Sequence, residues 1–224
     1  PASAPVLLEE TDGAVRLLTG VATRIGLRGA SVTMALKAHA ARACAGDAAV
    51  EAIGAANCIR FDSAADKAPA TNTDASALRR LLDGAQHVAV IGAGGAGRAA
   101  LWAAQEAGAE VTLVARPGER TDAAVADFQV PVVWGDRDAL HADAWVQATP
   151  LGMHGEPSPV TRPSGAERAV ELVYADRPTS FEAAAQGAGA HVTSGRDFLV
   201  EQALDAYRFW TGTEADRAIM EAAL

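Results

Sequence analysis

The chain has 224 residues, 50% of them hydrophobic and only 5% aromatic, with a formal net charge of -9 and a pI near 5.0. That length suffices for one large or two modest domains with a buried core, and the composition excludes a disordered chain. The acidic balance argues against a nucleic-acid partner, which needs a basic patch, but leaves small-molecule anions open, because a local pair of arginines is enough to hold one.

The opening segment PASAPVLLEETDG has no basic stretch leading into an apolar run, so no secretory signal is expected. VRLLTGVATRIG (15–26) has helical spacing, and SVTM (31–34) reads as a short strand. A helix is expected over 37–44, and AAVEAIGAANCIRF (48–61) passes from a helical turn into another strand. In TNTDASALRRLLDG, Asp74 is placed to cap a helix whose apolar face is Leu78, Leu81 and Leu82 and whose end is marked by Gly84.

From His87 the pattern becomes alternating units: HVAVI, a helix over 96–107, VTLVAR, a helix near 121–127, VPVVW, AWVQAT, VELVY, a helix near 179–187, and HVTS. Strands separated by short helices imply βαβ units, and hence an α/β fold with a Rossmann-type doubly wound parallel sheet. The remainder, from Arg196, is mostly helical. Boundaries are expected near 82–86 and near Gly195, giving segments 1–83, 84–195 and 196–224. The most apolar stretch, 88–104, is crowded with glycine and interrupted by Arg98, so no membrane span is expected. Cys44 and Cys58 lack a C-x-x-C spacing and read as reduced, buried thiols. His39, His87, His141, His154 and His191 are scattered without metal-ligand spacing, so no metal site is expected, and a cytoplasmic enzyme is the default.

The most informative local motif is VAVIGAGGAGRAA, in which Gly92, Gly94 and Gly97 satisfy G-x-G-x-x-G. Alone this is weak in a chain rich in alanine and glycine. Its context strengthens it, because the glycines follow an apolar strand and open a helix. Glycine there lets the backbone turn sharply and approach a pyrophosphate, whose charge the helix N-terminus stabilises. NAD binders carry an acid at the end of the next strand, for the ribose 2'-hydroxyl; here the strand ends VTLVARPGER. Arg116 and Arg120 sit where a 2'-phosphate would lie, which favours NADP. Glu119 complicates the reading if it points inward, and two solvated loop arginines remain the alternative.

Only two of the 19 basic residues, Lys37 and Lys67, are lysines. Reducing a ketone builds negative charge on the carbonyl oxygen, and an ammonium can both stabilise that charge and give up a proton, which a guanidinium effectively cannot. Lys37 is the candidate, with an ordinary surface lysine as the alternative. Asp74 is the candidate carboxylate to orient it.

SVTMALK, GAANC, TNTD, VAVIGAGGAG, QATPLGM, LVY and FLVEQALDAYRFWTG occur in the order, and at about the spacing, of the shikimate dehydrogenase family, which this chain resembles from roughly Leu17 to Gly212. The resemblance implies two α/β domains with a cleft between them, the smaller one binding substrate. It also implies reversible NADP-dependent reduction of 3-dehydroshikimate to shikimate, in aromatic amino-acid biosynthesis. Lys37 and Asp74 would be the catalytic pair. Thr33, Asn57, Tyr174 and Gln202 fall at positions that line the substrate pocket. Gly92, Ala93, Gly94, Gly95, Ala96, Gly97, Arg116, Arg120, Thr149, Leu172 and Gly195 fall at cofactor-contacting positions. The partner is then a small-molecule substrate, and a homodimer is possible.

The chain departs from the family at Ala35 and Leu36, where a proline and an aromatic or histidine are usual, and at Ser31, often asparagine. Gln147 replaces the asparagine of N-A-T-P, and Pro117 a threonine. Family members also begin with a strand and helix carrying a Ser-x-Ser pair that holds the substrate carboxylate. Ser3 lies too close to Thr33 to match, so a substrate domain incomplete by about 30 residues is expected. A quinate or aminoshikimate dehydrogenase stays open within the enzyme class, and a non-catalytic NADP-binding sensor outside it.

Overall fold

The structure, a computed structural model, describes residues 11–33, 35–61 and 67–222. Ser3 and Met34, both used in the sequence reading, lie outside the described residues. The chain divides into two compact units: the residues up to Asn72 with Ala206–Thr213, and Thr73–Asp205 with the segment from Glu214.

The first unit contains helix α1 (Asp12–Ala22), continued by a 3-10 turn (Thr23–Ile25), strand β1 (Gly29–Ser31), α2 (Leu36–Ala43), β2 (Ala45–Gly46), α3 (Ala48–Ile53), β3 (Cys58–Arg60) and β4 (Pro69–Thr71). The sheet order is β1-β3-β4-β2, antiparallel except for β4 against β2. Val15, Ala40, Ala43, Val50, Ile59 and Phe61 form its core. The thiols of Cys44 and Cys58 are buried, and burial pushes Cys44 up to about 11.

Local signals explain the joints. Asp47 caps α3 by accepting from the Val50 N–H at 2.9 Å, and its other oxygen accepts from the Thr71 hydroxyl at 2.6 Å, tying the helix to β4. Gly29 admits no side chain, because a Cβ there would lie 2.2 Å from the Trp210 indole, whose Nε1 donates to the Ile59 carbonyl at 2.9 Å. The expected strand over 31–34 sits earlier, at 29–31. Val32 makes one more bond, to the Asn57 carbonyl at 2.7 Å, after which Leu36 N–H returns to Thr33 and α2 begins. Strands β2 and β4 escaped the sequence reading because two or three residues carry no readable alternation.

The second unit begins with α4 (Thr73–Leu81) and continues through β5 (His87–Ile91), α5 (Gly95–Glu106), β6 (Glu110–Val114), α6 (Glu119–Phe128), β7 (Val132–Val133), a 3-10 turn (Arg137–Ala139), β8 (Ala144–Gln147), β9 (Arg168–Glu171), α7 (Ser180–Gly187), β10 (His191–Thr193), α8 (Gly195–Thr211), whose residues from Ala206 belong to the first unit, and α9 (Arg217–Ala222). Only Asn72 separates β4 from α4, so Asp74 lies inside the first turn of the helix rather than at its cap. Leu78 and Leu82 are fully buried as expected, Leu81 partly. Strand β9 ends at Glu171, before the expected LVY, where its ladder with β8 ends at Gln147; its pairing with β10 stops one residue earlier, at Val170. The helical tail breaks at Gly212, whose φ of 72° only glycine adopts readily.

The six strands are all parallel, in the order β7-β6-β5-β8-β9-β10. Counted from β5, this is the 3-2-1-4-5-6 order of the doubly wound dinucleotide-binding sheet. Alternate residues of β5 feed two separate cores. Val88 and Val90 pack with Leu78, Leu101 and Leu113 on one face, and Ala89 and Ile91 with Trp145, Phe181 and Ala185 on the other. Each large aliphatic side chain so buried is worth about 1.5–3 kcal/mol.

Two of the buried carboxylates of this unit, Glu171 and Glu182, lie beside the end of β9. Glu171, at the end of β9, has no exposed surface, and Glu182, in the first turn of α7, is 6% exposed. Burial, aided by the like charge of Glu182, pushes Glu171 up to about 7 from 4.5, against hydrogen bonds from Thr179 and Val173 that favour the ionised form. The folded chain therefore keeps a proton that the unfolded chain has released above pH 4.5, and this residue's contribution to stability falls as pH rises from 4.5 towards 7. Urea unfolding of the wild type and Glu171→Gln across that window should diverge in slope, the wild type losing on the order of 3 kcal/mol relative to the variant. Parallel profiles would mean that Glu171 does not titrate there.

Candidate functional site

The C-terminal edges of four strands of the second unit build one site. Strand β5 ends at Ile91, and Gly92 follows with a φ of 108°. Its N–H donates to the Val114 carbonyl of β6 at 2.9 Å, and Ala148 N–H returns to the Ile91 carbonyl, also at 2.9 Å. This is where β5 and β8 carry the chain to opposite sides of the sheet, the switch point at which open α/β sheets bind ligands.

The three glycines act differently. A Cβ at Gly97 would lie 1.8 Å from the Gly92 carbonyl oxygen, so only glycine lets α5 fold back onto the end of β5. A Cβ at Gly92 would lie 2.8 Å from the Thr149 methyl, which fixes Thr149 beside the turn. Gly94 precedes α5 with a φ of -77°, and a Cβ there meets nothing within 4 Å. Packing thus demands the first and third glycines and not the second. Gly94 instead keeps an open path to the amides of Gly95, Ala96 and Gly97 at the helix N-terminus, a cradle suited to a pyrophosphate.

Around the turn, Arg116 follows β6 and Arg120 lies in the first turn of α6, both exposed. The Arg116 carbonyl accepts from the Thr121 hydroxyl at 2.6 Å, holding the loop. No carboxylate among the described residues pairs with either guanidinium, Glu119 included. At β8, the fully buried Gln147 accepts from both the amide and the hydroxyl of Thr149 at 2.9 Å, and donates to the Leu151 carbonyl at 2.8 Å. At β9, Leu172 N–H donates to the Gln147 carbonyl at 3.1 Å, and the exposed Tyr174 follows. Gly195 abuts this strand end, since a Cβ there would lie 1.9 Å from the Val173 carbonyl oxygen.

Thr33, Lys37 and Asn57 belong to the first unit, where neighbouring backbone segments carry them. The Ala56 N–H donates to the Lys37 carbonyl at 2.9 Å, next to the Val32 to Asn57 bond. Lys37 is half-buried in the first turn of α2, Asn57 is 6% exposed, and Thr33 is exposed. Asp74 and Gln202 belong to the second unit. Asp74 is 8% exposed, and the hydroxyl of its neighbour Thr73 donates to the Gln202 side-chain oxygen at 3.1 Å, which joins the start of α4 to α8. Among the described residues no group of three or more His, Cys, Asp or Glu could hold a metal ion, and no helix is long and apolar enough to cross a membrane.

The sequence reading passed over Thr73, Glu171, Thr179 and Glu182. A signal existed for the last two: T-x-x-E before an apolar run is a capping box, and both of its bonds are present at the start of α7. Nothing in VELVY marks its glutamate as buried and bonded.

Comparisons with known proteins agree with this geometry. The family profile of the shikimate 5'-dehydrogenase C-terminal domain matches residues 195–224. The shikimate dehydrogenase (NADP(+)) of Anaeromyxobacter dehalogenans is 36% identical over 98% of this chain and 83% of its own length. That of Halobacterium salinarum is 37% identical over 95% and 84%. Among solved structures, shikimate 5-dehydrogenase from Thermus thermophilus, in complex with NADP(H) and shikimate, superposes with a TM-score of 0.80 at 32% identity, over 94% of this chain and 83% of that one. With the glycine turn, the strand order and the similarity all running through the greater part of both chains, the chain belongs to the shikimate dehydrogenase family.

Proposed function

We propose that this protein is a cytoplasmic NADP-dependent dehydrogenase that reversibly reduces 3-dehydroshikimate to shikimate, a step in aromatic amino-acid biosynthesis. The observation that carries the reading is an open glycine turn at the switch point of the sheet, followed at the end of the next strand by arginines with which no carboxylate among the described residues pairs, instead of an acid. The names of the relatives support the substrate and the cofactor.

In this reading the amides from Gly92 to Gly97 hold the pyrophosphate, Arg116 and Arg120 hold the 2'-phosphate, and Thr149, Leu172 and Gly195 line the rest of the dinucleotide's path. NADPH, when bound, supplies the hydride. Thr33, Asn57, Tyr174 and Gln202 offer donors and acceptors to the ring hydroxyls of the substrate. The Lys37 ammonium stabilises the negative charge that develops on the carbonyl oxygen and delivers its proton there; in the oxidative direction its neutral amine takes the proton back. Asp74 is the carboxylate of this proton-transfer pair. Such a positioned acid contributes roughly 10² to 10⁴-fold to the rate. A sensor that only binds cofactor needs neither Lys37 nor Asp74.

Purified chain supplied with NADP should oxidise shikimate; binding of NADPH without turnover of shikimate or quinate overturns the reading. Lys37→Ala should lower kcat by roughly 10² to 10⁴-fold while NADPH affinity holds, and unchanged turnover removes Lys37 from the mechanism. Arg116→Ala should weaken NADP far more than NAD, and equal losses would show that Arg116 does not read the 2'-phosphate. Gly94→Ala should weaken NADPH binding with the melting temperature nearly unchanged, whereas Gly97→Ala should lower the melting temperature itself. The reverse ranking would contradict the roles assigned to the two glycines.

A further inference from the structure

We propose that Glu171, Thr179 and Glu182 are positioning residues for hydride transfer, clamping the strand end Leu172–Tyr174 to Gly195 at the start of α8. The proposal rests on the functional reading above, in which Leu172 and Gly195 face the cofactor and Tyr174 the substrate.

Every oxygen of the two carboxylates has an assigned partner. One oxygen of Glu171 accepts from the Val173 N–H at 2.9 Å, and the other from the Thr179 hydroxyl at 2.6 Å. One oxygen of Glu182 accepts from the Thr179 N–H at 2.7 Å, and the other from the Gly195 N–H at 3.3 Å. The Thr179 hydroxyl in turn accepts from the Glu182 N–H at 3.2 Å. Thr179 is thus the bridge between an acid that holds Val173 and an acid that holds Gly195. Those are the two backbones whose contact is so close that a Cβ on Gly195 would meet the Val173 oxygen at 1.9 Å.

Stability alone does not call for this arrangement. Glu171 occupies a position flanked by Val170 and Leu172, where an apolar residue would avoid the desolvation of a carboxylate. The Thr179 and Glu182 capping box would complete α7 without it. What Glu171 adds is a fixed position for the segment just past the edge of the sheet, where the resemblance puts the contacts to both reactants. Hydride transfer is sensitive to such placement, a shift of about 1 Å being enough for roughly a 10²-fold loss.

The test compares Thr179→Val, Thr179→Ser and Glu182→Gln with the wild type, reading NADPH affinity, kcat, the primary deuterium isotope effect with 4-deuterated NADPH, and the melting temperature. Thr179→Val should lower kcat on the order of tenfold and raise the isotope effect as hydride transfer becomes limiting, with NADPH affinity within about twofold. Thr179→Ser, which keeps the hydroxyl, should restore both. Glu182→Gln, which loses one of its two acceptor oxygens, should move kcat and the isotope effect in the same direction, and it carries the comparison if Thr179→Val does not fold. Unchanged kcat and isotope effect in a folded variant, or losses that follow only the fraction unfolded, overturn the clamp. A wild-type chain without NADPH-dependent turnover overturns instead the functional reading, a result distinct from failure of the variants.

Discussion

The second unit depends on how β5 leaves the sheet. A parallel sheet covered on both faces has to satisfy two cores at once, and β5 contributes to each through alternate residues, Val88 and Val90 on one side, Ala89 and Ile91 on the other. Its end is therefore pinned, and the chain has to turn at once into a helix that lies back over the strand. That return is feasible only because Gly97 meets the Gly92 carbonyl with no Cβ between them. The same turn points the free amides of α5 outward at the switch point. The demand for close packing and the capacity to hold an anion thus come from one piece of backbone.

The other edges of the site are built by stitching neighbouring strand ends. Gln147 folds its amide over the Thr149 turn, and Thr149 in turn lies against Gly92. Where the family usually has asparagine, the longer side chain reaches the Leu151 carbonyl as well. Glu171, Thr179 and Glu182 do the same for the end of β9 and the start of α8. Buried polar groups of this kind are satisfied by short-range bonds to backbone, and among the described residues no buried side-chain nitrogen or oxygen is left without a partner.

Much of this was legible in advance. Long apolar strands alternating with helices determine an α/β unit, and the placing of β5, α5, β6 and β8 follows the sequence pattern closely. The glycine motif and the arginines after β6 were legible because each depends on local geometry or on a single charge. The short strands β2 and β4 were not, because their pairing is set by Asn57, Thr71 and Asp47 bonding across the first unit and not by any pattern of their own. Asp74 was expected at a helix cap and lies one step inside the helix, since α4 already begins at Thr73.

By itself, then, the sequence determined the fold class, the dinucleotide-type turn, the placing of two arginines after β6 and the family. These rest on periodicity, on residues with unusual backbone freedom, and on side-chain charge, all of which are local properties. The tertiary structure decided which glycines are demanded by packing and which by an open path, and which acids are buried. It also brought Thr73 to Gln202 and joined Val173, Thr179 and Gly195 through two carboxylates. Those are contacts between residues far apart along the chain or on different elements, and their chemistry exists only once burial has removed water as the competing partner.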